Sequence, residues 1–159
     1  MVKSTYEILA KKYFNFDVDE SWVEWAIEMM LRGFETEHLI ELAGTTKPYN
    51  QFYLDELTSK VFSELSLDYS DTETVLTNYA TYLTGEGLSG NKNYFDILKT
   101  LKDICVRLDY AKFLYDFYLL YFALDDLKYM DHQEYWPDAD RENIHTVISE
   151  YFSSWQKDH

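Results

Sequence analysis

Asp125 and Asp126 are the residues whose types and spacing come nearest to a catalytic arrangement. They form two adjacent carboxylates at the C-terminal end of a predicted helix, where each costs up to about 1 kcal/mol against the negative end of the helix dipole. A structural interpretation is that Arg141, Lys128 or an N-terminal lysine compensates them in an ion-pair network.

The alternative interpretation is a polar centre in which Tyr121, Tyr129 and His132 join Asp125 and Asp126. Such a group could perform acid–base chemistry, since paired carboxylates and a histidine are frequent proton carriers. Asp116 does not join it, because nine residues place Asp125 about half a turn away on the helix.

No other motif indicates catalysis. The four histidines lack metal-ligand spacing, and residues 138–149 lack the glycine and glutamate of a calcium loop. Phosphate-binding, nucleophile-elbow and CxxC motifs are also missing. We therefore predict no catalytic residue, metal or cofactor, and favour a non-enzymatic protein.

The composition predicts a folded acidic protein. The formal net charge is −15, while 47% of residues are hydrophobic and 18% aromatic, which excludes intrinsic disorder. A surface of this charge repels phosphate groups, so direct nucleic-acid or membrane binding is disfavoured and a basic protein partner is expected.

The acidic residues cluster before, on and after the second predicted helix. Carboxylates at four-residue spacing repel one another on a helix, so the cluster is either a solvated face or a surface for a basic partner. We predict partner binding through Asp17, Glu20, Glu24, Glu28, Glu35, Glu37 and Glu41.

Apolar residues recur at three- and four-residue steps almost throughout, which predicts an all-α fold: a compact single-domain bundle of seven or eight helices over residues 1–159. The FYLLYFAL segment marks the helix around Phe117 to Leu124 as central. Predicted helices span about 5–14, 51–65, 72–84, 94–108 and 110–127, and the glycine-rich segment after Thr84 is predicted to be a loop. Asp19 or Ser21 is predicted to cap the second helix, which Gly33 ends, and Thr36 to cap a short third helix through Ala43. A last helix, capped by Asp138 or Asp140, carries the apolar stripe from Ile144 to Trp155.

Cys105, the only cysteine, lies on an apolar helical stripe and is predicted to be a buried hydrophobe. A single cysteine allows no intramolecular disulfide, and neither a signal peptide nor a membrane-spanning segment is evident. These features predict a soluble cytoplasmic protein.

Two segments carry a family resemblance: WVEWAIEMMLRGFETEHLIELAG, and LDYAKFLYDFYLLYFALDDLKY followed by YWPDADRENI. Together they resemble a family of small, uncharacterised, acidic all-α bacterial proteins over Trp22 to Trp155. The resemblance implies a helical fold and no catalytic residues. In size and acidity the chain is also similar to bacterial toxin-immunity proteins, by analogy alone.

The sequence thus favours an immunity-type inhibitor that covers a basic toxin such as a nuclease. A small acid–base enzyme around Asp125, Asp126 and His132, and a structural or homo-oligomeric interaction module, are the alternatives.

Overall fold

The computed structural model describes residues 1–159 and is entirely helical, which confirms the all-α prediction. It contains eight α-helices and a 3₁₀ turn at Lys112–Leu114 that precedes the seventh helix. The helices are α1 Thr5–Tyr13, α2 Glu20–Leu31, α3 Glu37–Ala43, α4 Gln51–Glu64, α5 Thr72–Leu88, α6 Tyr94–Arg107, α7 Tyr115–Tyr129 and α8 Ile144–Asp158.

The chain divides into two units, Met1–Tyr79 and Ala80–His159, with the boundary inside α5. The first unit contains α1 to α4 and the first half of α5. The second contains the rest of α5 and α6 to α8. The predicted single domain over residues 1–159 stays a prediction.

The core of the first unit is built around aromatic residues of α2 and α4. Trp22, Trp25 and Phe62 are almost completely buried, and the Phe62 ring packs against both indoles, with centroids 6.3 and 6.1 Å away. The Trp25 indole N–H donates to the Thr5 hydroxyl at 2.9 Å. Trp25 thus ties α1 and α4 to α2 while its indole N–H is satisfied.

The ends of α2 follow from its flanking residues. Asp19 accepts a hydrogen bond from the Ser21 amide at 2.9 Å, as expected of an N-cap. Gly33 has a φ of +95°, a conformation that glycine adopts without steric cost. The Phe34 amide then donates back to the Met29 carbonyl at 3.2 Å, and the chain turns into α3.

The core of the second unit lies between α6, α7 and α8. Phe117 and Leu120 of α7 are completely buried, as is Phe152 of α8. The Phe117 ring also packs edge-on against the Trp155 indole, with centroids 4.9 Å apart. Cys105 is buried as predicted, and burial raises the pKa of its thiol, which keeps it protonated and unreactive.

The predicted end of α5 at Thr84 is wrong, because the helix continues through two glycines to Leu88. A Cβ at Gly87 would lie 2.7 Å from Ile97 Cδ1 and 3.2 Å from Phe152 Cε2. This glycine therefore serves close packing inside a helix and does not mark a loop.

The start of α7 at Tyr110 is also wrong. Asp109 and Tyr110 have φ values of +56° and +60°, so the chain turns after α6 before α7 begins. At α8, the Asp140 carboxylate accepts from the amides of Glu142 and Asn143, both at 2.9 Å, and organises the entry into the helix. The alternative cap, Asp138, forms no such contact.

None of the eight helices combines the length and apolar character that crossing a bilayer requires.

Candidate functional site

The seven predicted partner-binding carboxylates are all exposed in the first unit. We call this set the acidic face. It runs from the linker before α2, along α2, through the connection between the two helices and onto α3. Its members are Asp17, Glu20, Glu24, Glu28, Glu35, Glu37 and Glu41.

Two exposed aliphatic side chains lie among the carboxylates of α2. Ile27 is 44% exposed and Leu31 is 81% exposed. Viewed down the helix axis, both fall with Glu20, Glu24 and Glu28 inside an arc of about 100°. The opposite side of α2 is the buried tryptophan side, so this arc is a distinct outward surface that combines charge with apolar area.

The outward side of α3 repeats this combination. Ile40 is 46% exposed between Glu37 and Glu41. The Tyr53 hydroxyl at the start of α4 donates to the Glu41 carboxylate, and the neighbouring Phe52 is 90% exposed. Apolar and acidic groups therefore extend onto the beginning of α4.

Few of these carboxylates are neutralised. Glu20 lies 3.8 Å from the Lys47 ammonium, an exposed pair that contributes little to stability. Glu28 accepts a 3.3 Å hydrogen bond from the Ser4 hydroxyl, which carries no charge. The face therefore keeps a strongly negative character available to a partner.

The apolar members of this surface, Ile27 and Leu31, were not predicted from the sequence, which indicated only the carboxylates. Their four-residue spacing in register with Glu20, Glu24 and Glu28 was the available signal.

A second polar cluster joins α3 to α4. The Glu64 carboxylate accepts from the His38 backbone amide at 3.2 Å and contacts the His38 ring Nδ1. The hydrogen bond to the His38 side chain is the main reason why the pKa of Glu64 is lowered. Thr36, the predicted cap of α3, occupies the N-cap position but makes no capping hydrogen bond, and Glu64 satisfies the first turn instead.

Glu37 completes this cluster, because donor atoms of Glu37, His38 and Glu64 lie within 4.8 Å of one another. Two carboxylates and an imidazole could in principle ligate a divalent cation. However, Glu64 already serves His38 and the first turn of α3, so the cluster has a complete structural explanation.

The predicted polar centre in the second unit is not assembled. Asp125 and Asp126 are half-buried near the end of α7, whereas Tyr129 and His132 are exposed. No hydrogen bond joins the aspartates to Tyr129 or His132, and the His132 ring lies instead 3.2 Å from its neighbour Asp131. The acid–base alternative around these residues therefore stays a prediction.

The ion-pair network expected around the two aspartates is absent as well. Arg141 donates its Nε–H to the Leu127 carbonyl at 2.8 Å and forms no ion pair with either aspartate. The guanidinium thus satisfies a terminal carbonyl of α7 and offsets the negative end of its dipole. Asp116 lies apart from them and accepts from the Tyr151 hydroxyl at 3.1 Å.

Comparison of the chain with protein-family models, curated proteins and solved structures finds no match.

Proposed function

We propose that the first unit binds a basic protein through the acidic face of α2 and α3. The observation that carries this proposal is the outward arc of α2, where the exposed Ile27 and Leu31 lie beside Glu20, Glu24 and Glu28. A surface that served solvation alone would gain nothing from a leucine that is 81% exposed.

The two kinds of side chain have different roles in binding. Carboxylates attract a positively charged partner over a distance and orient it during approach. Apolar groups near the centre of an interface contribute most of the affinity once water has been removed from them. Ile27, Leu31 and Ile40 are the groups that would be buried in this way.

The partner chemistry follows from charge. Carboxylates at four-residue spacing on α2 repel each other by a few tenths of a kcal/mol, about 0.2 to 0.5 per pair, and cationic groups of a partner would relieve that repulsion. Proteins that bind nucleic acid carry basic surfaces of this kind. An immunity-type inhibitor that covers the basic surface of a toxin such as a nuclease is therefore our specific proposal.

Site-specific crosslinking tests the proposal. A photoreactive amino acid at Leu31 is expected to capture a basic protein in the native cell, and the same amino acid at Val106, which is also exposed but lies on α6, is the matched control. The captured protein is then purified and its binding to the wild type and to a Glu24→Lys/Glu28→Lys variant is measured.

Weaker binding by the charge-reversal variant, together with capture from Leu31 alone, would support the acidic face as the interface. Capture of an acidic protein, equal capture from Val106, or unchanged binding by the variant would reject it. If the captured protein is toxic to cells, the wild-type chain is expected to protect cells from it, and the Glu24→Lys/Glu28→Lys variant is expected to lose this protection.

A further inference from the structure

A cleft of about 650 Å³ lies in the second unit between the start of α6, the end of α7 and the start of α8. Its apolar lining includes Leu124, Leu127 and Ile144. Clefts of about 300 to 1,000 Å³ with mainly apolar walls and a few polar groups are typical of small-molecule sites.

The lining of this cleft contains two lysines, an arginine and a histidine, and no carboxylate. We call it the basic cleft, defined by Lys92, Lys128, Arg141 and His145. This is unusual in a chain with 29 acidic and 14 basic residues, where most cations would be expected to have a carboxylate neighbour.

Carboxylates do not neutralise these cations. The ion pairs of the second unit connect Lys99 and Lys102 to Asp103, and His132 to Asp131. The pKa of Asp131 is lowered mainly by its hydrogen bond with His132 and least by the charge of Arg141, with which it forms no ion pair. Like charges that converge without a counter-ion repel one another, and a bound anion would remove that cost.

Two of the cations are held in place by other contacts. The hydrogen bond from Arg141 Nε to the Leu127 carbonyl fixes the guanidinium beside the cleft and leaves its terminal N–H groups to bind an oxyanion. Lys128 Nζ lies 3.2 Å from the centroid of the Phe95 ring, a cation–π contact. Groups positioned in advance lose less conformational entropy when a ligand binds.

We propose that the basic cleft binds a small amphipathic anion. Arg141, Lys128 and Lys92 would hold an oxyanion head group, a phosphate or a carboxylate, while the apolar body of the ligand packs against Leu124, Leu127 and Ile144. This function lies beyond the proposed protein binding and does not depend on it.

Titration of the ¹⁵N-labelled protein with phenyl phosphate and with phenylacetate tests the proposal by NMR. At least one of the two is expected to bind one-to-one with a dissociation constant of about 1 mM or tighter, and to shift the amides of residues 91–95 and 141–145. The tighter of the two identifies the head group. Inorganic phosphate, which lacks the apolar body, and benzyl alcohol, which lacks the charge, are expected to bind at least about tenfold more weakly.

Matched variants distinguish binding in the basic cleft from nonspecific attraction of an anion to surface lysines. Lys92→Gln and Arg141→Gln are each expected to weaken binding by about tenfold. Lys99→Gln, which lies on α6 outside the cleft, is expected to bind as the wild type. Lys92 makes no side-chain hydrogen bond or ion pair in the structure, so its variant remains informative if loss of the Arg141 contact destabilises the fold. Absence of saturable binding by both aromatic anions, or equal effects of Lys92→Gln and Lys99→Gln, would overturn the proposal.

Discussion

At the scale of single residues, the first unit contains a buried cation. Lys12 on α1 is only 8% exposed. Its ammonium donates to the Asp55 carboxylate, the Asp55 carbonyl and the Thr58 hydroxyl, each at 3.0 Å. Three hydrogen bonds satisfy all the donors of a lysine, so this charge is compensated and fastens α1 to α4.

Truncation of Lys12 is expected to destabilise the protein more than replacement by an isostere. Lys12→Ala removes the packed stem and the three hydrogen bonds and should cost about 2 to 4 kcal/mol. Lys12→Met should cost less, because the Asp55 side chain is 64% exposed and stays hydrated, and Thr58 still donates to the Leu54 carbonyl. Urea unfolding measures both, with the exposed Lys60→Ala as control. Equal costs for the two Lys12 variants would contradict this account.

Glu64 gives the stability of the protein a specific dependence on pH. Because folding lowers the pKa of this carboxyl below its ordinary value of 4.5, the unfolded state takes up its proton first as the pH falls. Its stabilising contribution is therefore complete above that value and is lost as the pH falls through the lowered pKa.

Glu64→Gln is accordingly expected to destabilise the protein near neutral pH and to approach wild-type stability as the pH falls below 4.5 and through the lowered pKa of Glu64. Thermal unfolding of both proteins across that range measures the difference. Glu134→Gln, which changes an exposed carboxylate without a hydrogen-bond partner, is the control. A wild-type-to-variant difference that stays constant with pH would show that the carboxylate charge is not involved.

At the scale of helices and connections, the spacing of apolar residues predicted the helices, whereas contacts between helices determined where some of them end. The pattern of Trp22, Trp25 and Met29 fixed the buried side of α2, and Gly33 fixed its end. The sequence pattern could not show that Gly87 packs within α5, because the requirement comes from Ile97 and Phe152 on other helices. Nor could it show that Glu64 reaches the first turn of α3, since 26 residues separate Glu64 from His38.

The two glycines near the end of α5 are expected to respond oppositely to a methyl group. Gly87→Ala brings a Cβ within 2.7 Å of Ile97 Cδ1 and should cost about 1 to 3 kcal/mol through overpacking. At Gly85 the nearest atom to a Cβ is Gln156 Nε2 at 3.6 Å, an ordinary contact, so Gly85→Ala should gain about 0.5 to 1 kcal/mol of helix propensity. Denaturant midpoints of both variants measure the pair. Stabilisation by both substitutions would contradict close packing at Gly87 and would indicate that the C-terminal end of α5 is loosely packed.

At the scale of the whole molecule, the charge of −15 is distributed unevenly. Residues 13–91 contain 15 acidic and 3 basic residues, whereas residues 92–107 contain 2 acidic and 4 basic ones. The acidic face could therefore be located from the sequence alone, because its carboxylates lie close together along the chain. The basic cleft could not be located in this way, because Lys92, Lys128 and Arg141 are brought together only by the packing of α6, α7 and α8.

The association kinetics of the protein captured at Leu31 test the central claim most directly. If the acidic face steers a basic partner, the association rate constant should fall steeply as salt shortens the Debye length to about 8 Å, while the dissociation rate constant changes much less. Glu24→Lys/Glu28→Lys should slow association by about tenfold or more at low salt. The free energy of unfolding of this variant should equal that of the wild type. The matched double reversal Glu134→Lys/Glu150→Lys in the second unit should change the association rate far less. A salt-independent association rate, or equal effects of the two double reversals, would contradict binding through the acidic face.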